Sequence, residues 1–174
     1  MVIDIASVAI AGKWWRQLPS GLDPAHRPDR PKDARWQRGE TLDAVYLADS
    51  PDTVWAEWYR WLAESALVPR VGLPRDLWLV EIAIEGVVDL RTSESLEAVG
   101  LSAPRPDRRE WPAFQAVGER LYAEGRAALA APSAAREGGV VLCVFWPATA
   151  GVTVDHRSFE RFAEAPVVPR GLRA

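Results

Sequence analysis

Glycine-rich phosphate loops, metal-ligand clusters and membrane-length apolar runs are all missing from this 174-residue chain, and cysteine and histidine are nearly so. The single cysteine, Cys143, excludes an internal disulfide framework. It lies inside the most hydrophobic run, 140–146, where a thiol is expected to serve as a small core side chain and not as a nucleophile. His26 and His156 are the only histidines, and with one cysteine far from both they match no ligand spacing, so no metal site is expected. Neither a G-x-G-x-x-G turn nor a P-loop pattern is present, and no G-x-S-x-G elbow marks a hydrolase serine. The run 140–146 ends at Pro147, well short of the roughly 20 residues that cross a bilayer, so no membrane association is expected. Asp4 interrupts the first apolar stretch and no basic residue precedes it, which argues against a signal peptide and for a cytoplasmic protein. Positive charge is neither in excess nor gathered in a stripe, since the net charge is −3, and direct nucleic-acid binding is not expected.

What is present is ample material for one core. With 48% hydrophobic and 26% charged residues, the composition predicts one mixed α/β domain over residues 1–174, its core at about 12–150 and a C-terminal tail at 151–174. Strands are predicted at 2–10 and 42–47, separated by an irregular loop at 18–33 that holds Pro19, Pro24, Pro28 and Pro31. Ser50 and Pro51 then open a helix to about residue 66, whose apolar stripe is Val54, Trp58, Trp61, Leu62 and Ser65, with Glu57 at its edge. Residues 77–84 and 87–90 read as a hairpin turning at Glu85-Gly86. Helices at 93–99 and 112–124 follow, the second closed by Gly125, and then buried strands at 127–133 and 140–146. A strand at 151–154 and a helical stretch at 158–164 complete the tail. Nine tryptophans exceed what a core of this size needs, so some are expected to line a pocket for a flat ligand.

Four polar residues stand in apolar surroundings: Arg35 in Ala-Arg-Trp, Tyr46 in Val-Tyr-Leu, Glu57 on the helix flank and Ser133 after Ala-Ala-Pro. Taken singly, each has an ordinary structural reading as a surface charge, a half-buried ring, a satisfied carboxylate and a turn residue. Their order along the chain is what makes them informative. The segments ARW (34–36), VYLADSPDTVWAEW (45–58), LWLVEIAIEGVVDL (77–90), APS (131–133) and GGVVLCVFWP (139–147) together resemble the RES domain family, and the likeness spans most of the chain. The family's name-giving arginine, glutamate and serine match Arg35, Glu57 and Ser133, its tyrosine matches Tyr46, and its arginine near the N-terminus matches Arg16.

The resemblance implies a bacterial toxin of a toxin–antitoxin pair with an ADP-ribosyltransferase-like fold, which consumes NAD as a substrate and needs no cofactor. An Xre-type antitoxin would block its pocket, and homo-oligomerisation is left open. Its catalytic residues would be Arg35, Tyr46, Glu57 and Ser133, and NAD would be bound by Arg16, Arg35, Trp36, Tyr46 and Ser133. The chemistry suits those side chains. Cleaving the nicotinamide–ribose bond places positive charge on the ribose, which a carboxylate such as Glu57 stabilises. The planar fork of Arg35 matches diphosphate oxygens, Tyr46 and Trp36 supply flat faces, and Ser133 orients a ribose or amide. Glycohydrolase and phosphorylase activity both fit this outline, as does transfer of ADP-ribose to a protein. One departure favours a third class, a non-catalytic interaction module with a degenerate NAD pocket. Where family members read G-G-R-W-N, this chain reads Asp33-Ala34-Arg35-Trp36-Gln37.

Overall fold

The computed structural model describes residues 5–146 and 152–173. Six strands and three α-helices follow one another along them: β1 (Ser7–Pro19), β2 (Ala44–Ala48), α1 (Pro51–Glu64), β3 (Arg75–Asp89), α2 (Ser93–Ala98), α3 (Trp111–Ala123), β4 (Ala128–Pro132), β5 (Val140–Phe145) and β6 (Val152–Phe162). The sheet runs β1-β2-β5-β4-β3-β6, and β1 also pairs with β3, so the first five strands close into a barrel. Only β3 and β4 run parallel; the other pairs are antiparallel. The fold is thus a mixed α/β architecture built on a sheet barrel.

Strict alternation divides the short strands between two cores. Val45 and Leu47 of β2, Ala128 and Ala130 of β4, and Leu142 and Val144 of β5 join Trp14, Val80, Ile82 and Val87 in one cluster. The intervening Leu129, Ala131, Cys143 and Phe145 face a second cluster with Trp36, Leu96, Phe114 and Leu121, and Tyr46 packs against it. Both faces of β4 and β5 are therefore covered, which is why their sequences read as unbroken apolar runs. A third cluster, of Val54, Trp55, Trp58 and Leu62 with Leu77, seats α1 on the barrel.

Three elements differ from the sequence-based expectation. The segment predicted as a hairpin is one continuous strand, β3. Its Glu85-Gly86 pair lies opposite Ala9, between the Val8–Val87 and Ile10–Ile84 partners, and forms a bulge with Gly86 at φ 71°. A long β1 pairs on both sides of that point, so the glycine bends the strand without reversing it. The predicted helix at 158–164 is instead the end of β6, because pairing with β3 sets Phe159 opposite Trp78, their rings stacked 4.5 Å apart. Tertiary pairing outweighs local propensity in so short a segment. The first strand reaches Pro19, well past residue 10, and so carries Trp14, Trp15 and Arg16 into the sheet. Residues 2–4 of the predicted strand lie outside the described residues, as does the expected boundary at residues 150 and 151.

Among the described residues no helix is long and apolar enough to cross a membrane, and no group of His, Cys, Asp or Glu could hold a metal ion.

Candidate active site

Helix α1 begins as its sequence dictates: Ser50 accepts a hydrogen bond from Thr53 N at 3.2 Å, with Pro51 at the first position. That start sets the phase of every residue after it. Val54, Glu57, Trp61 and Glu64 follow one another at three- and four-residue steps and, with Arg60, line a cavity of about 390 Å³. Trp15 and Arg16 of β1, Ala44 and Tyr46 of β2, the 33–36 segment and Trp111 also line it. Pro132 and Ala134 close it beside Glu57.

Glu57 and Ser133 are 76 residues apart and meet at this wall: Ser133 Oγ donates to Glu57 Oε1 at 2.7 Å. The direction of that proton is fixed. Ser133 Oγ already accepts from the backbone N–H groups of Ala135 and Arg136, both at 3.1 Å, so its own hydrogen is free only for the carboxylate. Ser133 is fully buried, while the Glu57 side chain is 34% exposed, so the serine holds the acid and the acid faces the cavity. The expectation that Ser133 itself orients a ribose is corrected accordingly: it reaches a ligand only through Glu57. Close packing underlies the contact, since a Cβ on Gly139 would lie 2.7 Å from Thr53 Oγ1 and 3.3 Å from Ser133 Cβ.

Arg35 sits in a tight turn in which Ala34 and Gln37 exchange backbone hydrogen bonds of 3.0 and 3.3 Å. Gln115 Nε2 clamps the turn from α3 by donating to Ala34 O at 3.0 Å and Gln37 O at 3.2 Å. Gly118 allows α3 this close, because a Cβ there would lie 2.0 Å from Trp36 O. Asp33 and Ala34, which replace the expected glycines, are not among the residues with positive φ, so their positions do not require glycine here. Gln37 Nε2 donates to Lys32 O at 2.8 Å and ties the turn to the preceding loop. Arg35 itself is buried, at 8% exposure; Nη2 donates to Arg105 O and Nη1 lies 3.7 Å from Glu110 Oε2. Burial, and then the charge of Arg60, pulls its pKa down to about 10.

The remaining expected residues are placed less uniformly. Tyr46 lines the cavity with its ring, but its hydroxyl accepts from Trp36 N at 3.3 Å, and burial beside Cys143 pushes the phenol well above its ordinary pKa. It braces the Arg35 turn and stays protonated. Trp36 lines the cavity, but it is 1% exposed and packs edge-on against Phe114 with centroids 5.0 Å apart, so most of its indole belongs to the core. Arg16 lines the cavity, yet its Nη1 and Nη2 donate to the carbonyls of Pro24 and His26, which places its charge on the proline-rich loop. Burial pulls its pKa down to about 10. Cys143 is buried and its thiol is pushed up to about 12, in keeping with a core role.

Sequence reasoning missed Arg60, Glu64, Trp15 and Trp111, all of which line the cavity. Arg60 and Glu64 stand one and two turns beyond Glu57, a spacing that could have found them. Trp61, expected in the core stripe, is 42% exposed and stands at the cavity.

The fold has a solved counterpart. A chain in the crystal structure of the M. tuberculosis MbcT–MbcA toxin–antitoxin complex is similar over 90% of this chain and 87% of its own, with a TM-score of 0.75 and 21% identity. No curated protein sequence matches. A family model described as the RES domain matches residues 11–162, a stretch that contains Arg16, Arg35, Tyr46, Glu57 and Ser133, and the chain accordingly belongs to the RES domain family.

Proposed function

We propose that this protein is a toxin-type enzyme that destroys NAD by cleaving its nicotinamide–ribose bond. The observation that carries the reading is the Ser133–Glu57 contact of 2.7 Å at the cavity wall, a carboxylate held from behind by a buried hydroxyl with its open side toward the ligand space. As the bond from C1′ of the ribose to the nicotinamide nitrogen breaks, its electron pair leaves with nicotinamide and positive charge grows on the sugar. Glu57 stabilises that charge. An oxygen of water or of inorganic phosphate then bonds to C1′ and loses its proton, giving ADP-ribose or its 1″-phosphate. Arg35 would hold the diphosphate, and Trp61, Trp15 and Trp111 would supply flat faces. The fold that places these groups would be of ADP-ribosyltransferase type. The similar solved structure is of a toxin–antitoxin complex, which supports a protein antitoxin as the partner; in this reading the antitoxin is of Xre type and covers the cavity, and both act in the cytoplasm.

Purified protein incubated with NAD, with and without phosphate, tests this by nucleotide analysis. Loss of NAD with release of nicotinamide is expected, and Glu57→Gln should lower the rate at least about a hundredfold, the usual cost of removing a transition-state charge partner. Turnover equal to wild type in Glu57→Gln refutes the assignment. Label from adenine-labelled NAD retained on protein would move the reading to protein ADP-ribosylation.

A further inference from the structure

The cavity holds two guanidinium groups whose donors are not used up. Arg35 and Arg60 are 8% and 9% exposed, and both line the cavity. Arg35 Nη1, Arg60 Nε and Arg60 Nη1 are buried and have no hydrogen-bond acceptor among the described residues. Buried arginine donors are seldom left bare, because water has been removed and nothing replaces it.

The neighbouring carboxylates do not fill the gap. Glu57 Oε1 is taken by Ser133, and its Oε2 is 3.7 Å from Arg60 Nε, beyond hydrogen-bond range. Glu64 is shared: Oε1 lies 2.9 Å from Arg60 Nη2 as an ion pair without hydrogen-bond geometry, and Oε2 accepts from Arg108 Nε at 2.9 Å. Glu110 is engaged by Arg105, whose Nε donates to Oε1 at 2.6 Å and whose backbone N donates to Oε2 at 3.1 Å. Arg35 and Arg60 also oppose each other electrostatically, since the charge of Arg60 lowers the pKa of Arg35. Two like charges lining one cavity under burial, with three donors that lack acceptors among the described residues, call for a multivalent anion. A phosphate oxyanion meets that demand, having several acceptor oxygens and a geometry that guanidinium forks match.

We propose that Arg60 and Arg35 form a two-guanidinium clamp for a phosphate oxyanion, and that Arg60 selects ligands carrying one beside the ribose held at Glu57. Arg60 stands one helical turn from Glu57 on the same wall, so an anion in the clamp lies next to the sugar. The biological ligand rests on the dinucleotide reading above, whereas anion binding can be measured without turnover.

Calorimetric titration of the full chain with ADP-ribose, adenosine, pyrophosphate and inorganic phosphate tests the clamp. Wild type should bind ADP-ribose at least about tenfold more tightly than adenosine. Arg60→Met should weaken ADP-ribose roughly 10- to 100-fold, the range for a charged hydrogen bond, and leave adenosine unchanged. Arg60→Lys should restore part of the loss, since it returns the charge without the fork. Arg60→Met that binds ADP-ribose like wild type, or loses adenosine by the same factor, overturns the proposal. If Arg60→Met does not fold, wild type decides: equal affinity for ADP-ribose and adenosine, with no pyrophosphate binding, overturns it too. Inorganic phosphate that competes with ADP-ribose identifies the clamp with the diphosphate, and phosphate bound alongside ADP-ribose identifies it with the free acceptor. Pyrophosphate binding that depends on Arg60, without any ADP-ribose binding, keeps the clamp and removes the dinucleotide reading.

Discussion

Replacing Ser133 with alanine separates holding the acid from holding the substrate. The side chain donates one hydrogen bond to Glu57 and accepts two from backbone N–H groups. A hydrogen bond to a charged group is worth about 1.5–3 kcal/mol, which corresponds to roughly a 10- to 150-fold fall in kcat if the carboxylate is held correctly only with the serine present. The fold should survive. The N–H of Ala135 is buried and loses its acceptor, while that of Arg136 is only partly buried and can turn to water, so the stability cost is about 1–3 kcal/mol of the 5–15 kcal/mol typical of a domain. Steady-state NAD consumption by wild type, Ser133→Ala, Glu57→Gln and the double variant provides the assay, with urea unfolding alongside. If Ser133 acts solely through Glu57, the double variant is no slower than Glu57→Gln alone, and the serine change lowers kcat with little effect on KM. A double variant slowed by the full product of the two single effects, or a Ser133→Ala change confined to KM, refutes the positioning role.

Other substitutions probe the supports around the site. Trp61→Ala should raise KM for NAD about five- to tenfold with stability within about 0.5 kcal/mol of wild type, whereas Trp36→Ala should cost about 3–5 kcal/mol in urea unfolding, because one indole lines the cavity and the other fills the core. Gly118→Ala, which would place a methyl 2.0 Å from Trp36 O, should destabilise by about 2 kcal/mol or more and reduce activity by displacing the Arg35 turn. Asp76 is buried, accepts from Ser20, Gly21 N and Arg161, and has its pKa lowered to about 2, first by the Arg161 hydrogen bond. A folded pKa below the unfolded value near 3.8 contributes stability that is complete above pH 4 and is lost as pH falls toward 2. The stability difference between wild type and Asp76→Asn should therefore be largest at neutral pH and shrink below pH 4; a difference constant from pH 7 to 2.5 would count against the charged network.

Elements whose partners are near in sequence, or whose capping is local, were legible. The start of α1 at Ser50 and Pro51, the closure of α3 before Gly125 at φ 74°, and the buried strands β4 and β5 all follow from rules that act over a few residues. The misread elements depend on distant strands. Glu85-Gly86 suits a hairpin turn as well as a bulge, and β1, more than 70 residues earlier, decides between them. The alternation along β6 becomes meaningful only once Trp78 and Arg75 lie opposite Phe159 and Phe162.

The site divides along the same line. Arg35, Tyr46, Glu57 and Ser133 stand out as polar residues in apolar settings, but each taken singly also reads as structural, and it is the resemblance to the RES domain family that joins them into one site. What each touches was not visible. Ser133 reads equally well as a ligand to ribose and as a support for Glu57, and only the two backbone N–H groups that occupy its lone pairs settle the direction of its proton. Trp36 is expected to face a ligand and Trp61 to join the core, yet α3 packs over the first while the second stands at the cavity, about a sixth of a turn from Trp58 on the helix. Arg60 drew no attention because an arginine on a charged helix is normally a solvated one. It differs from Arg108, which shares Glu64 with it, in being almost wholly enclosed, and an enclosed cation with bare donors is what gives the cavity an end for an anion as well as an end for a sugar.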